Sequence, residues 1–165
     1  MRSIYRCLLI VICCCCLVSL DCWNTTRGQA DKSARPAPED AVLARLAEIQ
    51  AAAQALDADK VFSFVVDNDR GALIQNGQFY LTRKEALEST RRGFQVLQKI
   101  EYKFNQQHVT FPSPSVALAT GEGVSSATTV DGRTFTTAFT QSVLLTLTNN
   151  EWKVFHAHRS FPPAR

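Results

Sequence analysis

The chain has 165 residues, of which 45% are hydrophobic and 20% charged, and its formal net charge is +3 at pH 7. This length and apolar content are sufficient for one domain with its own core. The basic residues beyond Arg2 and Arg6 are scattered among acids. Because phosphate binding requires a continuous basic stripe, nucleic acid is excluded as a partner.

The first 22 residues are typical of a secretory signal peptide. Arg2 and Arg6 precede an apolar run at residues 7–20 that is short for a membrane span but suits the apolar region of such a signal. We therefore expect export to a periplasm or the extracellular space, with no membrane span. The cleavage site lacks an A-x-A ending, and a lipid anchor on Cys22 is the less favoured alternative.

The cysteines all lie inside this leader, at Cys7, Cys13, Cys14, Cys15, Cys16 and Cys22. A mature chain that begins after Cys22 contains none, which excludes a disulfide scaffold and a thiolate zinc site. Residues 23–37 are polar and lack apolar periodicity, and this pattern predicts a flexible tether. The folded domain is therefore expected at residues 38–162.

Three helices and a hairpin are predicted in the first half of this domain. Apolar residues at helical spacing predict a first helix after Pro38, with Val42, Leu43, Leu46, Ile49, Ala53 and Leu56 on one face. Asp57 is a suitable cap for a shorter second helix through Val65. Asn76-Gly77 between two apolar runs predicts a tight hairpin, and Thr82 with Glu85 forms a capping box that opens a third helix through Leu97.

Four long strands are predicted in the second half, at residues 100–111, 116–128, 134–148 and 151–161, with turn-forming residues between them. They form an antiparallel meander. Helices followed by strands indicate an α+β domain, in which three N-terminal helices pack on one face of a curved, mostly antiparallel sheet as a cone-shaped roll.

The last strand has a clear period of two. Strict alternation predicts one face with Trp152, Val154, His156, His158 and Ser160, and the other with Lys153, Phe155, Ala157, Arg159 and Phe161. His156 and His158 are therefore expected to project from the same face of the sheet.

The order of elements resembles the nuclear-transport-factor-two-like superfamily over about residues 39–161. Two local patterns carry the likeness: residues 69–77, which resemble the acid-rich turn, apolar strand and glycine of that superfamily, and residues 152–160. The chain is most similar to the SnoaL-like and ketosteroid-isomerase-like branch and to the association domain of calmodulin-dependent kinase. The resemblance implies a conical pocket between helices and sheet, but no particular activity, because this superfamily includes isomerases, hydrolases, dehydratases and non-enzymes.

Members that transfer protons keep a carboxylate base at the end of the first short strand, and the resemblance places that position on Gln75, beside Ile74 and Asn76. An amide does not take up a proton near neutral pH, so the isomerase mechanism does not carry over.

The strands and the hairpin offer several polar residues for a ligand pocket. The candidates are Tyr80, Tyr102, His108, Glu122, His156 and His158. His156 and His158 would need a third ligand, such as His108 or Glu122, to hold a metal, and we favour hydrogen-bonded structural histidines over a metal site. Asp67 and Asp69 are ascribed to ordinary loop chemistry.

We therefore expect an exported, non-catalytic module without a cofactor, which binds a small apolar or amphipathic molecule and forms a homodimer through the exposed sheet face. The alternative is an isomerase, hydrolase or dehydratase that uses His156, His158 or Glu122 as acid and base. The sequence contains no phosphate loop, dinucleotide fingerprint or nucleophile motif.

Overall fold

The structure is a computed structural model that describes residues 37–162. The predicted signal peptide, the cysteines with the alternative anchor at Cys22, and almost all of the predicted tether lie outside the described residues. The elements in chain order are α1 (Pro38–Gln54), α2 (Ala58–Ser63), β1 (Leu73–Gln75), β2 (Gln78–Tyr80), α3 (Arg83–Gln95), β3 (Leu97–Ser113), β4 (Val116–Thr129), β5 (Thr134–Thr148) and β6 (Glu151–Ser160).

The strands form a six-stranded sheet in the order β2-β1-β6-β5-β4-β3. Strands β3 to β6 make the expected antiparallel meander, and the short hairpin of β1 and β2 is added at the edge of β6, with β1 parallel to β6. The expected α+β class, with three helices and a mostly antiparallel sheet, is confirmed.

Local sequence signals account for the turns and helix starts. Asn76 and Gly77 have φ of 54° and 73°, and Asn149 and Asn150 have φ of 52° and 62°, as tight hairpin turns require. The Thr82 side chain accepts a hydrogen bond from the backbone of Glu85, whose carboxylate accepts one from the backbone of Thr82. These two features confirm the predicted turns and the capping box.

Two helix ends differ from expectation. The second helix ends at Ser63 rather than Val65, because the backbone of the next residues pairs with β6: Val154 N donates to the Phe64 carbonyl at 2.8 Å, and Val66 N donates to the Val154 carbonyl at 2.8 Å. The third helix ends at Gln95, and Leu97 already belongs to β3. In both places tertiary strand pairing overrides the local helical pattern.

The main core joins α1 to the centre of the sheet. Its buried residues are Val42, Leu46, Ala117, Ala119, Val143, Leu145, Trp152 and Val154. The small side chains of Ala117 and Ala119 on β4 leave room for the helix, and burial of a side chain such as Leu46 stabilises the fold by about 1.5–3 kcal/mol. This cluster fixes the distance between α1 and the sheet.

A β-bulge divides the last strand into two parts. Leu145 pairs with Val154 while its neighbour Leu144 pairs with His156, so Phe155 is an extra residue on β6. The expectation that Trp152 and His158 share one face is therefore wrong. The bulge keeps Trp152 and Val154 on the inner face, as well as Ala157 and Arg159, and it turns His156 and His158 to the outer face.

Within residues 37–162, none of the helices combines the length and the apolar character that crossing a bilayer requires.

Candidate functional site

A cavity of about 370 Å³ lies between the helices and the inner face of the sheet, next to the main core. Helix α1 contributes lining residues between Leu46 and Ala53, and helices α2 and α3 contribute others. The residues that line it are Leu46, Ile49, Gln50, Ala53, Val61, Phe62, Val65, Ala72, Leu73, Gln75, Asn76, Tyr80, Ser89, Thr90, Gly93, Phe94, Leu97, Ile100, Tyr102, Phe104, Gln107, Gln141, Val143, Val154, Ala157, His158 and Arg159. More than half of them have apolar side chains, and the others are mainly neutral polar groups, a mixture compatible with a small-molecule site.

The polar groups of the wall are mostly neutral. Gln75 lies at the end of β1, and Asn76 follows it in the hairpin turn. The Tyr80 hydroxyl lies 2.8 Å from the Ser89 hydroxyl and 2.6 Å from Gln78 Oε1. Because two partners already occupy this hydroxyl, Tyr80 is held in place on the cavity wall.

Tyr102 is fixed by the last turns of α1. Gln50 Nε2 donates to the Tyr102 carbonyl at 3.1 Å, and Tyr102 N donates to Gln54 Oε1 at 3.3 Å. The Tyr102 ring meets the buried Phe139 ring edge to face, with ring centroids 6.0 Å apart. This packing gives the cavity a rigid aromatic wall.

Arg159 brings a fixed positive charge to this wall. Its half-buried guanidinium lies 4.8 Å from the centroid of the Tyr102 ring and 4.8 Å from that of Phe139. Both Nε and Nη2 donate to Gln141 Oε1, at 3.2 and 2.7 Å. Gln141 lies directly opposite Arg159 in the pairing of β5 with β6, so the strand register itself brings these two side chains together.

The six candidate ligand residues do not form a single cluster. Tyr80, Tyr102 and His158 line the cavity, whereas His108, Glu122 and His156 do not. Strand alternation separates two of them from it: His108 pairs with Thr120 and Glu122 pairs with Thr140, on the face opposite the buried Ala119 and Phe139. His156 lies on that outer face because of the bulge in β6. Which residues bind a ligand stays a prediction.

The two histidines of β6 differ in their surroundings. His156 is half-buried, and its Nδ1 lies 2.7 Å from the carbonyl oxygen of Gly71. His158 is exposed and pairs with Ile74 of β1, while its neighbours Ala157 and Arg159 pair with Leu73 and Gln75, which line the cavity. His158 therefore belongs to the edge of the wall, with its side chain directed away from that of Arg159.

In the described part of the chain, no three His, Cys, Asp or Glu residues come together as a metal site would require. His108 and Glu122, the third ligands considered with the histidine pair, lie on strands β3 and β4 rather than beside it.

A family model described as the SnoaL-like domain matches residues 42–164. The chain belongs to the SnoaL-like domain family. The match includes most of α1, the residues that line the cavity and the whole sheet, and it confirms the expected superfamily. Comparison with curated proteins finds no match.

Solved structures with the same fold include enzymes as well as proteins named only by their superfamily. A nuclear transport factor 2-like superfamily protein from Salmonella enterica serovar Typhimurium has a TM-score of 0.69 at 14% identity, covering 76% of this chain and 92% of that one. A protein of this fold from Shewanella oneidensis has a TM-score of 0.59 at 20% identity, covering 75% and 99%. A hexachlorocyclohexane dehydrochlorinase of type 2 has a TM-score of 0.65 at 12% identity, covering 76% and 85%. At such identities the likeness establishes the fold alone.

In this SnoaL-like domain, no Asp or Glu within residues 37–162 lines the cavity. Gln75, which the resemblance places at the position of the base, does line it. Asp67 and Asp69 are exposed and lie outside the lining. The wall therefore carries neutral amides and one guanidinium where a proton-transferring relative would need a carboxylate.

Arg159 and Gln141 are the site residues that sequence reasoning missed. Strict alternation placed Arg159 on the face opposite Trp152 and Val154, and only the bulge at Phe155 brings it to the cavity. Gln141 lies 18 residues earlier in the chain, and its role depends on the register of β5 with β6. No local signal in the sequence marks either residue, because the bulge and the register arise from pairing between strands.

Proposed function

We propose that this SnoaL-like domain is a binding module that holds a small, mainly apolar molecule in its cavity and does not transfer protons. The observation that carries the proposal is the composition of the cavity wall: apolar side chains with neutral amides and, among the described residues, no carboxylate. Such a wall removes the apolar surface of a bound molecule from water. Its amides donate and accept hydrogen bonds without changing protonation state.

The acid-base alternative receives less support from the geometry. His156 is engaged with the Gly71 carbonyl, and Glu122 is an exposed residue on the other face of the sheet. His158 touches the cavity at its edge, but within residues 37–162 no carboxylate beside it would orient the ring as a base. A catalytic pair would need both a base and a partner inside the cavity.

The proposal is tested with N-phenyl-1-naphthylamine, an uncharged aromatic molecule whose fluorescence rises in apolar surroundings. We expect saturable binding at one site per chain. Replacing the half-buried Ala53, which lines the cavity, with Trp should fill the space and weaken binding by about tenfold or more, because the ligand loses the apolar contacts it would otherwise make.

Ala47→Trp is the matched control, since Ala47 is exposed on the same helix and does not line the cavity. This variant should bind the probe like the wild-type protein. Circular dichroism and urea unfolding establish that both variants fold. The proposal is contradicted if the folded wild-type protein does not bind the probe, or if both variants bind it equally well.

Assembly and export are separate parts of the proposal. Half-buried Leu118, Val124 and Leu144 lie on the outer face of the sheet, opposite the face that packs on α1, and this apolar patch supports a homodimer.

The signal-like N-terminus supports export. N-terminal sequencing of protein recovered outside the producing cell would test export, and an intact Met1 in that protein would argue against it.

A further inference from the structure

Arg159 has an uncompensated charge at the cavity. Among the described residues that line the cavity, it alone carries a fixed charge. None of the ion pairs within residues 37–162 includes it, although Arg45, Arg70, Arg91 and Arg133 each pair with a carboxylate. A half-buried guanidinium is partly removed from water, so an anion beside it would be stabilised more strongly than at an exposed site.

The hydrogen bonds of Arg159 leave one edge of its guanidinium available. A guanidinium has five N–H donors, and the bonds from Nε and Nη2 to Gln141 Oε1 use two of them. Within the described part of the chain, no hydrogen bond leaves Nη1. The Nη1 and Nη2 edge therefore presents the paired donors that match the two oxygens of a carboxylate.

Three neighbours hold this edge in position without neutralising it. Gln141 accepts from one side as a neutral amide, and the rings of Tyr102 and Phe139 lie at equal distances of 4.8 Å from the guanidinium carbon. Aromatic faces attract a cation through their quadrupoles but do not compete for its N–H donors. The arrangement is preorganised for an anionic partner, which lowers the entropic cost of binding.

We propose that the ligand of this cavity is an anionic amphiphile, with an apolar body against the helices and a carboxylate or similar oxyanion bound end-on by Nη1 and Nη2 of Arg159. This inference rests on the proposed binding function, and it specifies the chemical class of the ligand. Gln141 is a positioning residue, since it acts on the ligand through Arg159.

The test compares two probes of the same shape that differ in charge. 8-Anilinonaphthalene-1-sulfonate is N-phenyl-1-naphthylamine with an added sulfonate, so the ratio of their dissociation constants isolates the contribution of the anion. We expect the sulfonate to bind the wild-type protein about tenfold more tightly or better, as a charge-assisted bidentate contact provides. Decanoate should displace the probe at about tenfold lower concentration than decanol, which would show the same preference for a carboxylate.

Two variants remove the preference in different ways. Arg159→Gln removes the charge, and Gln141→Glu supplies an internal carboxylate that occupies the guanidinium while preserving the shape of the side chain. In both variants the ratio of the two dissociation constants should fall from about tenfold to about one, whatever the change in affinity for the neutral probe. Gln141→Glu should also remain folded, because it adds an ion pair. Arg133→Gln, at the β4–β5 turn and outside the cavity lining, is the control for net charge and should keep the advantage.

The possible results separate this inference from the proposed function. The anionic ligand is ruled out, and the binding module stands, if the wild-type protein binds the neutral probe without preferring the sulfonate. The same conclusion follows if Arg159→Gln keeps the wild-type preference for the sulfonate. If neither probe binds the folded wild-type protein, both proposals fail. The inference is also overturned if Arg133→Gln abolishes the preference for the sulfonate as fully as Arg159→Gln does, because long-range charge would then explain the preference.

Discussion

His156 Nδ1 lies 2.7 Å from the carbonyl oxygen of Gly71, at the point where the chain enters β1. Because a carbonyl oxygen only accepts, Nδ1 carries the proton and donates it to this bond. The bond fixes the start of β1 to β6, beside the main-chain bond from Ala157 N to the Ala72 carbonyl at 3.2 Å. His156 is therefore a structural residue that supports the hairpin, and Gln75 of the same hairpin reaches the cavity.

Replacing His156 with Ala should lower the free energy of unfolding by about 1–3 kcal/mol, since the buried Gly71 carbonyl loses its side-chain donor. His158→Ala, two residues away and exposed, should change it by less than about 0.5 kcal/mol. Urea unfolding of both variants measures the difference. Equal losses of stability in the two variants would contradict the structural assignment of His156.

At the scale of the element, strand β6 determines which residues reach the cavity. Its bulge at Phe155 takes up one residue, so that Ala157 and Arg159 continue the inner face begun by Trp152 and Val154. The Phe155 carbonyl accepts a hydrogen bond from Asn68 Nδ2 at 2.9 Å, which gives the bulge a partner from the loop after α2. The identity of the cavity residues thus depends on one irregularity in the strand.

The same element shows what the sequence predicts and what it does not. Asn76-Gly77 and the Thr82 capping box act within a few residues, and both are present as predicted. The alternation along β6 is also a local signal, but the bulge arises from pairing with β5, which is distant in sequence. For that reason the strands were predictable, whereas the orientation of Arg159 and its partnership with Gln141 were not.

Glycine is required where β4 passes closest to β3. A Cβ built on Gly123 would overlap the Lys103 carbonyl oxygen and would lie 3.0 Å from the Phe139 ring. Gly123→Ala should therefore lower the free energy of unfolding by about 1–3 kcal/mol through overpacking. The contact involves backbone, which cannot rotate away as a flexible side chain would.

Gly93→Ala is the matched control for this substitution. Gly93 lies inside α3, and a Cβ there would meet no atom within 4 Å beyond its own helix. This change should raise stability by about 0.5–1 kcal/mol, because alanine loses less backbone entropy on folding. Chemical unfolding of both variants measures the two changes in the free energy of unfolding, which should have opposite signs. If Gly123→Ala leaves that free energy unchanged, β3 and β4 are not tightly constrained there.

At the scale of the whole molecule, the sheet has two differently used faces. The inner face carries the core and the cavity, and the outer face combines Leu118, Val124 and Leu144 with paired hydroxyl groups such as Thr140 and Ser160, 2.9 Å apart. In the described part of the chain, the helices pack on the inner side. A second copy on the outer face would remove its apolar residues from water.

The expected homodimer is sensitive to Leu144. Leu144→Arg places a charge in the middle of the outer face, where Leu144 pairs with Leu118, and should yield monomers. Gln95→Arg, an exposed position at the end of α3, adds the same charge elsewhere and should leave the dimer intact. Sedimentation velocity distinguishes the two, and a monomeric wild-type protein at micromolar concentration would refute the expected assembly.

The claim that the cavity between the helices and the sheet is a ligand site has a direct test. Amide NMR of the labelled domain follows each residue during titration with N-phenyl-1-naphthylamine. We expect the largest chemical-shift changes on cavity residues such as Gln75, Gly93 and Tyr102, and these changes should saturate together at one ligand per chain. Changes confined to Leu118, Val124 and Leu144 on the outer face would show that the molecule binds the sheet surface, which would contradict the claim.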